Sequence, residues 1–479
     1  MTNSLRTTRW IILLLALAAA AAAAPPEGED AAMIDAGAVG RAATAPDGSD
    51  AERVDLAPGL AARLLDVSVD ASVLLTGWPI AAAERGSVEL TRFEVYAPDA
   101  RIVEVRGDRL VELPRSRLVF FRGVVAEDPL ARVMISVDPD SGRIAGYSNL
   151  RGELHELRAL GKDSGRGYLL APVDSFIAGG EKPDWSCAQE TGELDKLLLP
   201  STAPGVVSEA ITSLHSATIA FDTDNELMSL KFSNNTTAAT NYIANVVATM
   251  TVVYERDVLV RLLQGLTILR PSTTADPYSA AGGQANGSQL GEFASYWSSG
   301  CGGACTAPRA LAMMLSGKSS SNFSASGIAW VGSLCNSSNG YSFNQVFKFA
   351  QDTAASDLLV TAHELGHNFG SPHTHCYNPP IDQCYNAEGG CYTGTRVCPA
   401  PATYNGVTNV TGTLMSYCHL SGLGGCGSTA VFHPTSVNLL APIIQARVNQ
   451  CIFPIGPPNA VFSSSFETGL VPPWSGKRP

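Results

Sequence analysis

Basic residues are in deficit. The chain has 32 Lys and Arg against 44 Asp and Glu, a formal charge of −12 over 479 residues and a pI near 5.2. Nucleic-acid binding needs clustered Lys and Arg, so that class of partner is excluded. The same balance gives no reason to expect an acidic membrane surface as partner. Beyond the N-terminus no segment approaches the roughly 20 apolar residues that span a bilayer, so stable membrane insertion is not expected. No calcium-loop signature is present, which leaves a structural Ca2+ unsupported, and there is no internal repeat.

What is present at the N-terminus reads as a secretory signal. Arg6 and Arg9 form a basic start, Trp10 to Leu17 a short apolar run, and alanines continue to Ala24, where a small-residue cut is expected. Export makes disulfides possible. The 11 cysteines lie at 187, 301, 305, 335, 376, 384, 391, 398, 418, 426 and 451. The steps from 376 to 398 are too wide for zinc-type C-x-x-C pairs, so the cluster reads as a disulfide framework. Parity leaves one cysteine over. Cys187, in KPDWSCAQE, is the first choice, with Cys418 the alternative.

The chemistry is concentrated in HELGHNFGSPHTH, residues 363–375. His363 and His367, four apart, lie on one helix face one turn from each other. Gly370 permits a sharp reversal because glycine tolerates positive φ, and His373 can then supply a third nitrogen. Three protein ligands leave one coordination position open for water, the pattern of a catalytic zinc. Glu364 sits where it could take that water's proton. Leu358, Ala362, Leu365 and Phe369 form an apolar stripe on the same helix, with Ser356 as its expected N-cap. His375, His419 and His433 are read as surface or hydrogen-bonded residues, not ligands.

This extended motif resembles the metzincin zinc endopeptidases, most closely the reprolysin (adamalysin-like) branch. The resemblance implies a methionine turn beneath the metal. GTLMSYC, residues 412–418, supplies it with Met415, 42 residues past His373 (415 − 373). The branch usually has aspartate directly after the third histidine, where this chain has Thr374. Tyr417, two beyond the methionine, stands where related metzincins carry a tyrosine near the zinc, which makes it a second catalytic candidate; simple packing is the other reading. Many metzincin propeptides silence the enzyme with a cysteine on zinc, and Cys187 is positioned to resemble such a switch.

The implied fold class is α+β: a mixed sheet with a zinc helix, preceded by a β-rich propeptide. The expected domains are a signal peptide (1–24), a propeptide (25–205) with a disordered start and a connector, a protease domain (206–455) and a Pro-rich tail (456–479). RLVFFRG (117–123) and 131–148 read as strands, with a hairpin turn from Asp138 to Gly142. Their G-x-x-x-x-D-P and G-x-I-x-G-Y order resembles reprolysin-type propeptides. Connector residue Lys196 is a possible cleavage point. Strands are expected at 216–224, 258–269, 310–317 and 327–332, a helix at 239–257, and a terminal helix broken by Pro442; 342–352 is undecided. The expected function is that of a secreted zinc endopeptidase, a monomer acting on protein or peptide, using a zinc-bound water and Glu364 as general base and made as a latent proenzyme. An inactive binding module and a non-proteolytic zinc hydrolase are the alternatives.

Overall fold

In the computed structural model of the protein, the described residues are 32–128, 131–161, 167–176, 184–187, 211–303, 305–348, 354–420, 422–423 and 426–455. The expected signal segment, Lys196 and the C-terminal tail lie outside them. The described residues form two large sheets, one of ten strands and one of nine, with few helices.

The ten-stranded sheet is built from N-terminal residues alone. It is antiparallel apart from the pairing of Met33–Asp35 with Ser72–Ala81. Its centre holds the expected hairpin, Arg132–Val137 with Ile144–Leu150. The turn between them closes through a Gly142 N to Asp138 O bond of 2.9 Å. The expectation of a loose start fails for residues 33–55, which form Met33–Asp35, Val39–Thr44 and Asp50–Asp55. Alanine, glycine and acidic residues hide this in the composition. Partners distant in sequence supply the order: Ile34 and Val54 enter the core, and Glu52 takes two guanidinium bonds from Arg85 at 2.8 and 3.0 Å.

The nine-stranded sheet carries the histidine helix. Its centre is parallel, in the order Tyr341–Gln345, Leu311–Ser316, His215–Thr223 and Val260–Leu269. Ser324–Ala329 adds antiparallel to Tyr341–Gln345, so the first part of the undecided segment, 342–345, is strand, and its end from 349 lies outside the described residues. The long helix Thr236–Val258 packs beneath the sheet. Its many β-branched residues lower helix propensity, but burial along nearly its whole length overrides that. Asn235 caps it by accepting from Ala238 N at 3.0 Å. The terminal helix runs Pro434–Gln445, straight through Pro442. The N–H that Pro442 lacks would have bonded Asn438, an exposed residue whose carbonyl water can serve.

N-terminal residues also close both sides of this second sheet, which the expectation of a separate small domain did not foresee. The hairpin Ile102–Arg106 and Arg109–Leu113 extends one side, parallel to Val260–Leu269. Asp184–Cys187 extends the other, parallel to Ser324–Ala329.

Five disulfides join Cys301–Cys305, Cys335–Cys451, Cys376–Cys391, Cys384–Cys418 and Cys398–Cys426. Cys187 stands outside them and Cys418 does not.

Candidate metal centre

Leu358–Phe369 places His363 and His367 one turn apart with their stripe of Leu358, Ala362, Leu365 and Phe369 in the core. The cap is Asp357 rather than Ser356, and its carboxylate does other work. It accepts from Phe347 N at 2.8 Å and Tyr242 OH at 2.6 Å, which fixes the helix start to the sheet. The helix ends at Gly370, whose φ of 121° is open to glycine but strained for other residues. The reversal returns His373 to the first two histidines.

The three Nε2 atoms converge. His367 Nε2 lies 3.0 Å from that of His363 and 3.1 Å from that of His373. Each ring is oriented from behind through Nδ1: His363 to Leu414 O at 2.7 Å, His367 to Ser371 O at 2.8 Å, and His373 to Glu388 Oε2 at 2.8 Å. With Nδ1–H donating to these acceptors, each Nε2 presents a lone pair. Three lone pairs at about hydrogen-bond distance repel unless a cation stands among them. Burial and the neighbouring histidines push His363 far below its ordinary value and His367 down to about 3, so both imidazoles are neutral, as ligands must be. Cys187 Sγ lies within 4.8 Å of the same three nitrogens and 3.8 Å from His367 Nε2. Nitrogen and sulfur donors in a closed group of four fit zinc.

Glu364 is fully buried beside this group, and both its oxygens are without a hydrogen-bond partner. Burial pushes it up to about 8, with the nearby Cys187 thiol acting in the opposite direction. Gly327 makes room for it, because a Cβ there would sit 2.2–2.4 Å from the Glu364 side chain. Burial, and then the Glu364 carboxylate, push the Cys187 thiol well above its ordinary value. A dication supplies the positive charge that two buried acids need. The donor set therefore fits zinc on geometry and on charge.

Met415 is fully buried in the core under the helix. Thr374, at the position where the resemblance leads one to expect aspartate, ties the reversal to this turn: its N and Oγ1 both donate to Met415 O, at 3.0 and 3.2 Å. The Tyr417 ring lies 4.2 Å from that of His373, and its hydroxyl donates to Cys187 O at 3.1 Å. His375 is buried and bonds Glu388 Oε2 at 2.6 Å. His419 stacks on Trp185 at 4.0 Å and donates to its carbonyl at 2.9 Å. His433 caps the terminal helix.

Glu388 and Trp185 escaped the sequence reading. One oxygen of Glu388 accepts from both His373 and His375, and those bonds hold its carboxyl far below the usual range although burial raises it. It lies 15 residues past His373 in a loop, with no periodicity or motif to mark it. Glu388→Gln is expected to weaken zinc binding by about 10–100-fold, the usual cost of losing a partner behind a ligand. Competition against a chelator of known affinity measures this, and unchanged retention would assign Glu388 to loop packing only.

Three converging imidazoles, two of them on one helix beside a buried carboxylate, define a zinc-hydrolase type of centre. Residues 214–418 match the model of Reprolysin_5, Metallo-peptidase family M12. That region is a reprolysin-like metzincin domain, of a family of zinc metallopeptidases. No curated protein matches the chain significantly. A chain from a solved chaperone–substrate complex aligns at 12% identity, over 48% of this chain and 35% of that one, with a TM-score of 0.27. The alignment thus spans about a third of that chain's length. Among the described residues no helix is long and apolar enough to cross a membrane.

Proposed function

We propose that the protein is a secreted zinc endopeptidase made as a latent proenzyme. The observation that carries this is the convergence of the His363, His367 and His373 Nε2 atoms, 3.0–3.1 Å apart, beside the unpartnered Glu364 carboxylate. When bound there, zinc supplies Lewis acidity toward the scissile carbonyl and lowers the pKa of water. Glu364 takes a proton from the attacking water and passes it to the leaving amine. Its buried setting, which favours the protonated form, suits it to return that proton. A peptide substrate lies extended along Ser324–Ala329 by strand addition. Hydrolysis of denatured casein, abolished by a chelator and restored by zinc, tests the reading; a zinc-loaded protein freed of residues 184–187 and still inert would refute it.

The latent state is supported by what now occupies that edge. Asp184–Cys187 pairs with Ser324–Gly327 and brings the Cys187 sulfur to the three histidines. Trp185 packs among Ala325, Phe347 and Val360 and stacks on His419. Substrate and this strand cannot both be present. Tyr417 has a part in each state: it holds the Cys187 carbonyl here, and once that strand leaves its hydroxyl is available to the developing oxyanion. Tyr417→Phe is therefore expected to lower kcat of the released enzyme roughly tenfold with KM little changed, and to raise residual activity of the uncut protein. Steady-state kinetics on both forms distinguish this from packing, which would move neither.

A further inference from the structure

We infer that the N-terminal domain is a permanent subunit of the active enzyme: maturation removes the strand at Asp184–Cys187 and leaves the domain in place. The maturation step rests on the proenzyme reading above; the retention of the domain rests on the interface itself.

Two kinds of contact join the N-terminal residues to the metzincin domain, and they differ in strength. At the active edge the contact is four residues of strand, Trp185 and Cys187 among them. At the opposite side the two parts share a core. Phe93, Ile102, Phe120, Met134 and Tyr147 belong to the same buried cluster as the long helix Thr236–Val258 and the histidine helix. Val103 and Val105 enter a second cluster with Leu266, Ile268 and Trp297. Apolar side chains of both parts pack as one interior, which is the character of obligate interfaces rather than of transient ones.

The backbone is joined as well. Thr267, Ile268 and Leu269 pair with Ile102, Val103 and Glu104. Val95 O accepts from Gln264 N at 2.6 Å, and Gln264 O accepts from Ala97 N at 2.9 Å. Removing the domain would leave Val260–Leu269 as a bare apolar edge, a template for aggregation. A buried charge group also spans the joint: Glu255 meets Arg261 at 2.5 Å within its own domain and Arg122 of the N-terminal sheet at 2.8 Å. Separation leaves Glu255 with Arg261 but takes Glu255 from Arg122, and removing one member of such a buried group is costly. The Tyr147 hydroxyl adds a bond to Thr249 O at 3.3 Å, inside the long helix.

The experiment uses the full chain with recognition sequences for a specific protease inserted after Gly180 and after Lys196, so that cutting frees the segment carrying Asp184–Cys187. After complete cutting, the sample is diluted to nanomolar concentration and run by size exclusion. The two large fragments are expected to elute together and to separate only at the denaturant concentration that unfolds the metzincin domain. Separation under native conditions overturns the inference, whether or not the released fragment stays folded. Casein hydrolysis and zinc content, read in parallel, bear on the peptidase reading alone. A co-eluting pair that lacks zinc would sink that reading and leave the retained subunit standing.

Discussion

Glu364→Gln is expected to keep its zinc and lose its turnover. The proposed metal donors are the three imidazoles, and each is oriented by a group other than Glu364. The amide has the shape of the carboxylate, and its oxygen can still face the Cys187 thiol beside it, so the change disturbs little of the fold. What disappears is the proton acceptor. General-base loss typically costs about 10²–10⁴ in rate, and kcat on casein should fall by at least that much. Metal analysis on the same sample is essential, because a fall with zinc missing would say nothing about the base. Near-normal turnover with zinc bound would remove Glu364 from the mechanism.

The second large effect belongs to Cys187→Ser in the uncut protein. Its sulfur lies within 4.8 Å of all three histidine nitrogens, where it would compete with water for a zinc held there, and a thiolate binds zinc far better than a hydroxyl. If that preference is worth about 2.8 kcal/mol, its loss raises the active fraction about 100-fold. Trp185 and the strand pairing remain, so activity should stay below that of protein from which residues 184–187 have been removed. Thiol-reactive mercurials should activate the wild type and leave the variant unchanged. A variant as silent as its parent would mean that inhibition lies in the strand and tryptophan, with the cysteine a bystander.

The convergence of the three histidines was legible because their geometry is local. Histidines at i, i+4 and i+10 with a glycine between them encode their own arrangement, and so does the methionine turn. Most strands of the metzincin domain were legible from apolar runs. What was hidden depends on distant pairing. Nothing in Ile102–Arg106 announces that it will pair with Val260–Leu269 rather than join its neighbours in the first sheet. Glu388 is an ordinary loop acid until two disulfides and two histidines surround it. The helix Gly287–Ser298, closed by an Asn286–Gln289 capping box, was missed because glycine and serine dilute its apolar face. Pro442 misled in the other direction, since a proline ends a helix only where its missing bond matters.

The placement of two bridges ties the metal centre to its compartment. Cys376–Cys391 closes the loop that carries Glu388, and Cys384–Cys418 fastens that loop to the turn holding Met415 and Tyr417. The group that orients His373 is thus supported through covalent bonds that only an oxidising environment maintains. Zinc affinity and thiol redox state become linked quantities: a reductant acts on this centre as a slow chelator would. A copy of the chain held in a reducing environment would lose the support behind its third histidine.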